Sequence, residues 1–499
     1  MQLGVVAAGH ALSAKAGADA LRAGGNAVDA ALGAMLTAFS CEPLLTGLGA
    51  GGYMLVVPPD EHPPVLLDFF VEAPGHGVQE SQRAELLPVS VSFGDAVQIF
   101  NVGPASVGAY GMPAGVAEAS ARFGRLPLSD LVAPAAALAR LGVPLSAEQA
   151  YVVEILAGIV TSTPQARAIF APEGQLLRPG DRLHQPDLAD ALERLGVEGA
   201  EPFYRGDVAR EVTEWVWDGG GTLTLADLAA YRVIDRTPVQ VSYRGRQILT
   251  NPPPSAGGIL IARALGLLDA GPTPANPRAV VEAMQRTQSE RTAEFLEGLS
   301  DPAFVEGFLR GGTPGRLGST THVAVLDAGG MACSMTCSSG ASSGVIVPGT
   351  GVHLNNMLGE QDLNPLGFHR HPPGRRLPSM MAPTVVMRDG RPQLVLGSAG
   401  SNRIRSAILQ TILRVLDDGM TAPAAVEAPR VHFEDGIVYT EPGIDTAEIV
   451  AAGYAIAPFR ARNLFFGGVQ AVERDSGGGF WGGGDPRRGG AAIVVEDSG

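Results

Sequence analysis

Three cysteines in 499 residues are too few for a disulfide framework, and their spacing fits no zinc site. Cys41 stands alone, and Cys333 and Cys337 flank one short strand, so all three read as core thiols. Charge is scarce as well. Asp, Glu, Lys and Arg make up 17% of the chain, with a net charge of −15. No Lys/Arg run is present to neutralise phosphates, which excludes a nucleic-acid partner. No window reaches the roughly 18 consecutive apolar residues of a membrane-spanning helix, so no membrane partner is expected. The start, Met1-Gln2-Leu3-Gly4-Val5-Val6, has neither a basic stretch nor a long apolar one. It is read as lacking a secretory signal, and the expected location is cytoplasmic. Linkers, low-complexity tracts and fixed-period repeats are also missing; the 66 Gly and 38 Pro are scattered through motifs. What is left, 45% apolar, belongs to a globular protein with a large core.

Local patterns place strands in two blocks, with helices between and after them. Residues 4–8 read as a strand and 11–23 as a helix stopped at Gly24-Gly25. Asn26 opens a second, Ala-rich helix whose small residues predict close packing. The loop Gly47-Leu48-Gly49-Ala50-Gly51-Gly52 satisfies Gly-x-Gly-x-x-Gly, the pattern of a dinucleotide site. That site needs a strand before the loop and a helix after it. Here a helix precedes and a strand (53–57) follows, so the expectation is a tight turn free of side chains. A strand at 65–70 comes next, then amphipathic helices from 111 to 123 and from 130. The middle third, to about residue 231, is helical by its three- and four-residue apolar spacing. Strands resume at 239–241 and 247–249, and Pro252-Pro253-Pro254-Ser255-Ala256-Gly257-Gly258 leads into a helix from 259.

From Thr320 onward the chain is rich in strands. The strand that opens there is expected to pair with 332–336 across the Gly329-Gly330 turn. A reverse turn at Asp389-Gly390 and a strand-to-helix passage near 398–404 follow. Strands at 437–439, 469–472 and 492–495 are expected to close the sheet. Periodicity alone says mixed α and β.

The chemistry centres on Gly318-Ser319-Thr320-Thr321-His322-Val323. A threonine hydroxyl becomes a nucleophile only with a base at hand. Cutting the Ser319–Thr320 bond would supply one, since the freed α-amine titrates near about 7.7–8.0 and can take the proton of its own side-chain oxygen. Gly311-Gly312-Thr313-Pro314-Gly315 ahead of it reads as a cleavable connector. His322, two residues past Thr320, is read as structural.

Several motifs recur in one order: Gly24-Gly25-Asn26-Ala27 with Asp29-Ala30, Gly219-Gly220-Gly221 before Leu225-Ala226-Asp227-Leu228, Thr320-Thr321-His322, and Asp485-Pro486-Arg487. Together they resemble the gamma-glutamyltransferase family of N-terminal nucleophile (Ntn) hydrolases. The resemblance implies an α+β fold, a four-layer αββα sandwich. It also implies self-cleavage into a large segment, 1–319, and a small one, 320–499. The two would stay together as a heterodimer within one αββα unit, with a higher homo-oligomer left open. No cofactor and no metal is implied.

By the same resemblance Thr320 is the nucleophile, and Ser338, eighteen positions on with Thr336 close by, positions it. Gly400 and Ser401 stand where the family has two glycines whose N–H groups bind the oxyanion. Ser379 keeps the first of two pocket serines, and Met380 replaces the second. Met357 and Glu360 occupy the positions that bind the substrate's amino group. Phe70 stands two residues after Asp68, where an arginine would clamp a carboxylate through paired donors.

The implied function is transfer of a gamma-glutamyl-type acyl group to water or an amine through an acyl-threonine, with a small-molecule amide as substrate. With the glutamate-binding positions half replaced, an acylase acting on other side chains is the alternative. A non-catalytic binding protein on the same scaffold is the third reading.

Overall fold

The computed structural model describes residues 1–79, 83–92, 97–290, 299, 320–361, 363–364 and 367–497. The connector 311–315 and Ser319 lie outside the described residues.

Two sheets carry the architecture. The seven-stranded sheet runs in the order Ala491–Glu496, Gln2–Ala8, Thr321–Asp327, Ala332–Ser338, Gly51–Val57, Val65–Phe69, Ile234–Arg236. The six-stranded sheet runs Phe480–Gly484, Gly468–Arg474, Arg391–Ala399, Thr384–Arg388, Arg246–Thr250, Val239–Tyr243. Strands from before and after Thr320 are intermixed in the first sheet and adjoin in the second. The two segments therefore share one hydrogen-bonded framework. The pairing of Thr321–Asp327 with Ala332–Ser338 is as expected, from Thr321 opposite Cys337 to Leu326 opposite Ala332.

Strand alternation sorts the core. Val6, Ala8, Met54, Val56, Val323 and Val325 face helices Ala11–Arg22 and Ala27–Cys41. Val5, Ala7, Leu55, Ala324 and Leu326 face the other way, toward the six-stranded sheet. That second sheet is in turn covered by helices Ala256–Asp269, Arg403–Leu416 and Ala422–Glu427.

The first two helices pack as closely as their small residues predict: a Cβ on Gly17 would lie 2.8 Å from the Ala30 carbonyl oxygen. Asn26 caps the second helix through a reciprocal box with Asp29, worth about 1 kcal/mol. All fifteen residues of that helix are buried. The three cysteines are free and buried.

One expectation needs correction. Residues 437–439 do not close either large sheet. Ile437–Thr440 pairs with Val431–Glu434 and Ala455–Pro458 in a separate three-stranded sheet. An alternating strand reads the same whichever sheet it joins; only its pairing partners decide. The hairpin of Leu87–Ser92 and Val97–Val102 was not foreseen. Among the described residues no helix is long and apolar enough to cross a membrane, and no group of three His, Cys, Asp or Glu could hold a metal ion.

Candidate active site

Stretches far apart in sequence close around one cavity. Thr320, Ser338, Phe70, Met357, Glu360, Ser379, Met380 and Ser401 all line it. Of the nine residues singled out from sequence, Gly400 alone is off the wall, one step behind Ser401. Gly340, Leu363, Met381 and Ile404 also line the cavity and were not foreseen. Met381 continues the Ser379-Met380 run and Ile404 sits in the helical turn after Ser401, so adjacency was the available signal.

Thr320 is buried and sits immediately ahead of the strand Thr321–Asp327. One further step of the Thr321–Cys337 register brings it level with Ser338, the last residue of the neighbouring strand. Ser338 Oγ accepts the Gly340 N–H at 2.9 Å. Thr336, the other hydroxyl considered, is turned to His322, its Oγ1 2.8 Å from the ring Nδ1. That ring packs on Gly397 of the opposing sheet, where a Cβ would lie 2.4 Å from it. Burial pushes the imidazole down to about 3, so it is neutral and wedged between sheets.

The glycine-rich loop acts as backbone packing. A Cβ on Gly49 would lie 2.3 Å from the His353 carbonyl oxygen. Asn355 ties that contact down, donating to Gly49 O at 2.8 Å and Gly108 O at 3.0 Å. It thereby fixes the single helical turn Met357–Gly359 and, next to it, Glu360. Glu360 Oε1 accepts the Ala341 N–H at 3.1 Å. Burial outweighs that bond and one from Asn356, holding the carboxyl up at about 7.

On the opposite wall, Ser379 to Met381 is gripped by the start of helix Ala256–Asp269. Ser255 Oγ bonds the carbonyls of Ser379 at 3.0 Å and Met381 at 2.8 Å. Gly257 is needed there, because a Cβ would fall 2.0 Å from Met380 O.

Gly400 and Ser401 form a tight turn with φ of 108° and 68°. A Cβ on Gly400 would meet Gly467 Cα at 2.8 Å. The helix Arg403–Leu416 starts directly after the turn, which puts the positive end of its dipole at the cavity. The φ at Ser401 is in the left-handed region that glycine occupies at little cost.

Phe70 follows the strand Val65–Phe69 and stacks on Tyr53, ring centres 5.5 Å apart. No arginine or lysine lines the cavity among the described residues.

One buried acid next to the site was not foreseen as part of it. Glu42 ends helix Ala27–Cys41, and both its carboxylate oxygens lie 3.3 Å from Thr321 Oγ1. Gly9 makes room, since a Cβ there would be 2.5 Å from Glu42 Oε1. Burial raises this carboxyl to about 7 against the Thr321 bond and the charge of Arg488. The signal in sequence was an acid directly after an almost wholly apolar helix.

A family model described as Gamma-glutamyltranspeptidase matches residues 13–313 and 310–495. The chain is 32% identical to the Acylase ACY 1 proenzyme of Pseudomonas sp. (strain SE83), over 91% of this chain and 87% of that one. It is 30% identical to the Glutathione hydrolase proenzyme of Bacillus subtilis (strain 168), over 87% and 82%. Among solved structures, the cephalosporin acylase from Bacillus halodurans superposes with a TM-score of 0.84 at 26% identity, covering 99% of this chain and 96% of that one.

Proposed function

The chain belongs to the gamma-glutamyltranspeptidase family, and from that premise we propose that it is a self-processed threonine amidohydrolase or acyltransferase with the four-layer αββα architecture of the Ntn hydrolases. Scission before Thr320 frees its amine, and that amine takes the proton of Oγ as the oxygen attacks the amide carbonyl. The N–H groups of Gly400 and Ser401 receive the developing oxyanion, each such donor worth about 2.7–4 kcal/mol in the transition state. The leaving amine departs with a proton from the Thr320 ammonium. Water or a second amine then takes the acyl group from the threonine ester. Ser338 positions Thr320. Residues 1–319 and 320–499 stay associated after scission, because their strands share both sheets.

The observation that carries this reading is the convergence of Thr320, Ser338 and Ser401 on one cavity with Phe70, Met357 and Met380. Those three apolar side chains favour an acyl group that is itself largely apolar, an acylase-type substrate. Glu360 favours the second reading, a gamma-glutamyl donor whose ammonium pairs with its carboxylate.

N-terminal sequencing of the smaller fragment tests the scission and should begin at Thr320. A comparison of gamma-glutamyl and simple acyl anilides tests the donor. A single uncut band that persists on incubation, with no turnover of either anilide, overturns the proposal.

A further inference from the structure

Behind the Gly400–Ser401 turn runs a chain of buried polar contacts that does not line the cavity. Asn402 Nδ2 donates to Glu434 Oε1 at 2.7 Å. Glu434 Oε2 lies 3.3 Å from His432 Nε2. His432 Nδ1 lies 2.8 Å from Ser406 Oγ. Ser406, His432 and Glu434 are all buried, and none of the four lines the cavity.

The arrangement has one consistent proton pattern. Burial disfavours the charged carboxyl of Glu434, but the bonds from His432 and Asn402 and the charge of Arg403 outweigh that and hold it down at about 2. Burial in turn holds His432 down to about 4. An ionised Glu434 therefore accepts from both sides, from Asn402 and from Nε2–H of a neutral His432. The bare Nδ1 takes the hydroxyl hydrogen of Ser406. A serine, a histidine and an acid in line resemble a nucleophile triad. Ser406, however, is buried and does not line the site cavity, so it does not meet a substrate carbonyl there.

Burying an ionised carboxylate is unfavourable until its partners compensate. Here that charge stands next to a turn whose second residue is itself strained. Ser401 has φ 68°, a left-handed conformation that a residue with a Cβ adopts only at a cost. The two partners of Ser406 and Asn402 come from Val431–Glu434, a strand of the separate three-stranded sheet.

We infer that Asn402, Glu434, His432 and Ser406 are positioning residues that hold Gly400 and Ser401 in the conformation presenting their N–H groups to the reacting carbonyl. The small sheet thereby serves the site from a distance, delivering His432 and Glu434 to the back of the turn. This rests on the assignment of the turn as the oxyanion site.

The test is made on the full processed chain with Glu434→Gln, which keeps the shape and removes the charge. Hydrogen exchange read by mass spectrometry should rise about tenfold in the segment 399–404 and stay unchanged in the strand Thr384–Arg388. With an acyl anilide, kcat should fall about tenfold or more while KM stays within about twofold. Adding Ser401→Gly to Glu434→Gln should restore most of the lost kcat, because glycine takes that φ without support. If Glu434→Gln does not fold, Asn402→Ala is put through the same measurements.

Unchanged exchange at 399–404, a rise spread through the whole molecule, or no rescue by the added glycine overturns the inference. Exchange is read with or without turnover. A wild type inert toward every donor would therefore sink the acyl-transfer reading, and the hold on the turn would still be decided by exchange.

Discussion

Arg376 stands directly behind Phe70: its Nη1 donates to the Phe70 carbonyl oxygen and to the Tyr231 hydroxyl. Asp68 and Glu72 flank the guanidinium at 3.4 and 3.3 Å, and it lies over the Tyr231 ring. This nearby cation is thus committed to the protein and does not reach the cavity. Phe70→Arg should supply what the cavity lacks. The ratio of kcat/KM for a gamma-glutamyl anilide to that for an apolar acyl anilide should rise about tenfold or more, as paired donors meet the α-carboxylate. An unchanged ratio in a folded variant would mean that residue 70 does not face the acyl chain.

Glu42 makes stability depend on pH. Its folded value near 7 lies above the ordinary 4.5. Between those values the folded chain holds a proton that the unfolded chain has lost, so stability falls as pH rises from about 4.5 to 7. The full excursion is roughly 3 kcal/mol. Glutamine mimics the protonated acid and does not titrate. The melting temperature of Glu42→Gln relative to wild type should therefore climb between pH 5 and pH 8. A pH-independent difference would show that Glu42 is not the group responsible.

How far the site could be read in advance varies by position. Phe70, Met357, Glu360, Ser379 and Met380 were found because short motifs fixed their places in the chain, and the fold brings them to one cavity. The helix caps at Asn26 and Gly24 and the hairpin at Gly329-Gly330 are local and were equally plain. Contacts such as Asn402 with Glu434, or Arg376 with Phe70, span long stretches of chain. No periodicity encodes them, since they depend on which strands become neighbours. The misplacement of 437–439 has the same cause.

Ser401 pays for its place. A serine at φ 68° gives up what a glycine there would keep, and Ser401→Gly should raise stability by about 1 kcal/mol once the looser unfolded chain of glycine is counted. The shift would be read as a higher urea midpoint with an unchanged slope. A lower midpoint would show that contacts of the serine side chain outweigh the strain.

Gly397 and His322 set the spacing of the two sheets beside Thr320. A methyl at residue 397 would lie 2.5 Å from His322 Nδ1, and the ring cannot retreat because Thr336 holds that nitrogen at 2.8 Å. Gly397→Ala must therefore push the strand Thr321–Asp327 away, at a cost of about 3 kcal/mol of overpacking. Thr320 moves with that strand, so self-cleavage should slow as well, read as delayed appearance of the smaller fragment on denaturing gels. The walls formed by Phe70, Met357 and Met380 belong to other segments, so donor preference in the fraction that is cut should not change. A variant that is cut at the normal rate despite lowered stability would separate sheet spacing from the chemistry at Thr320.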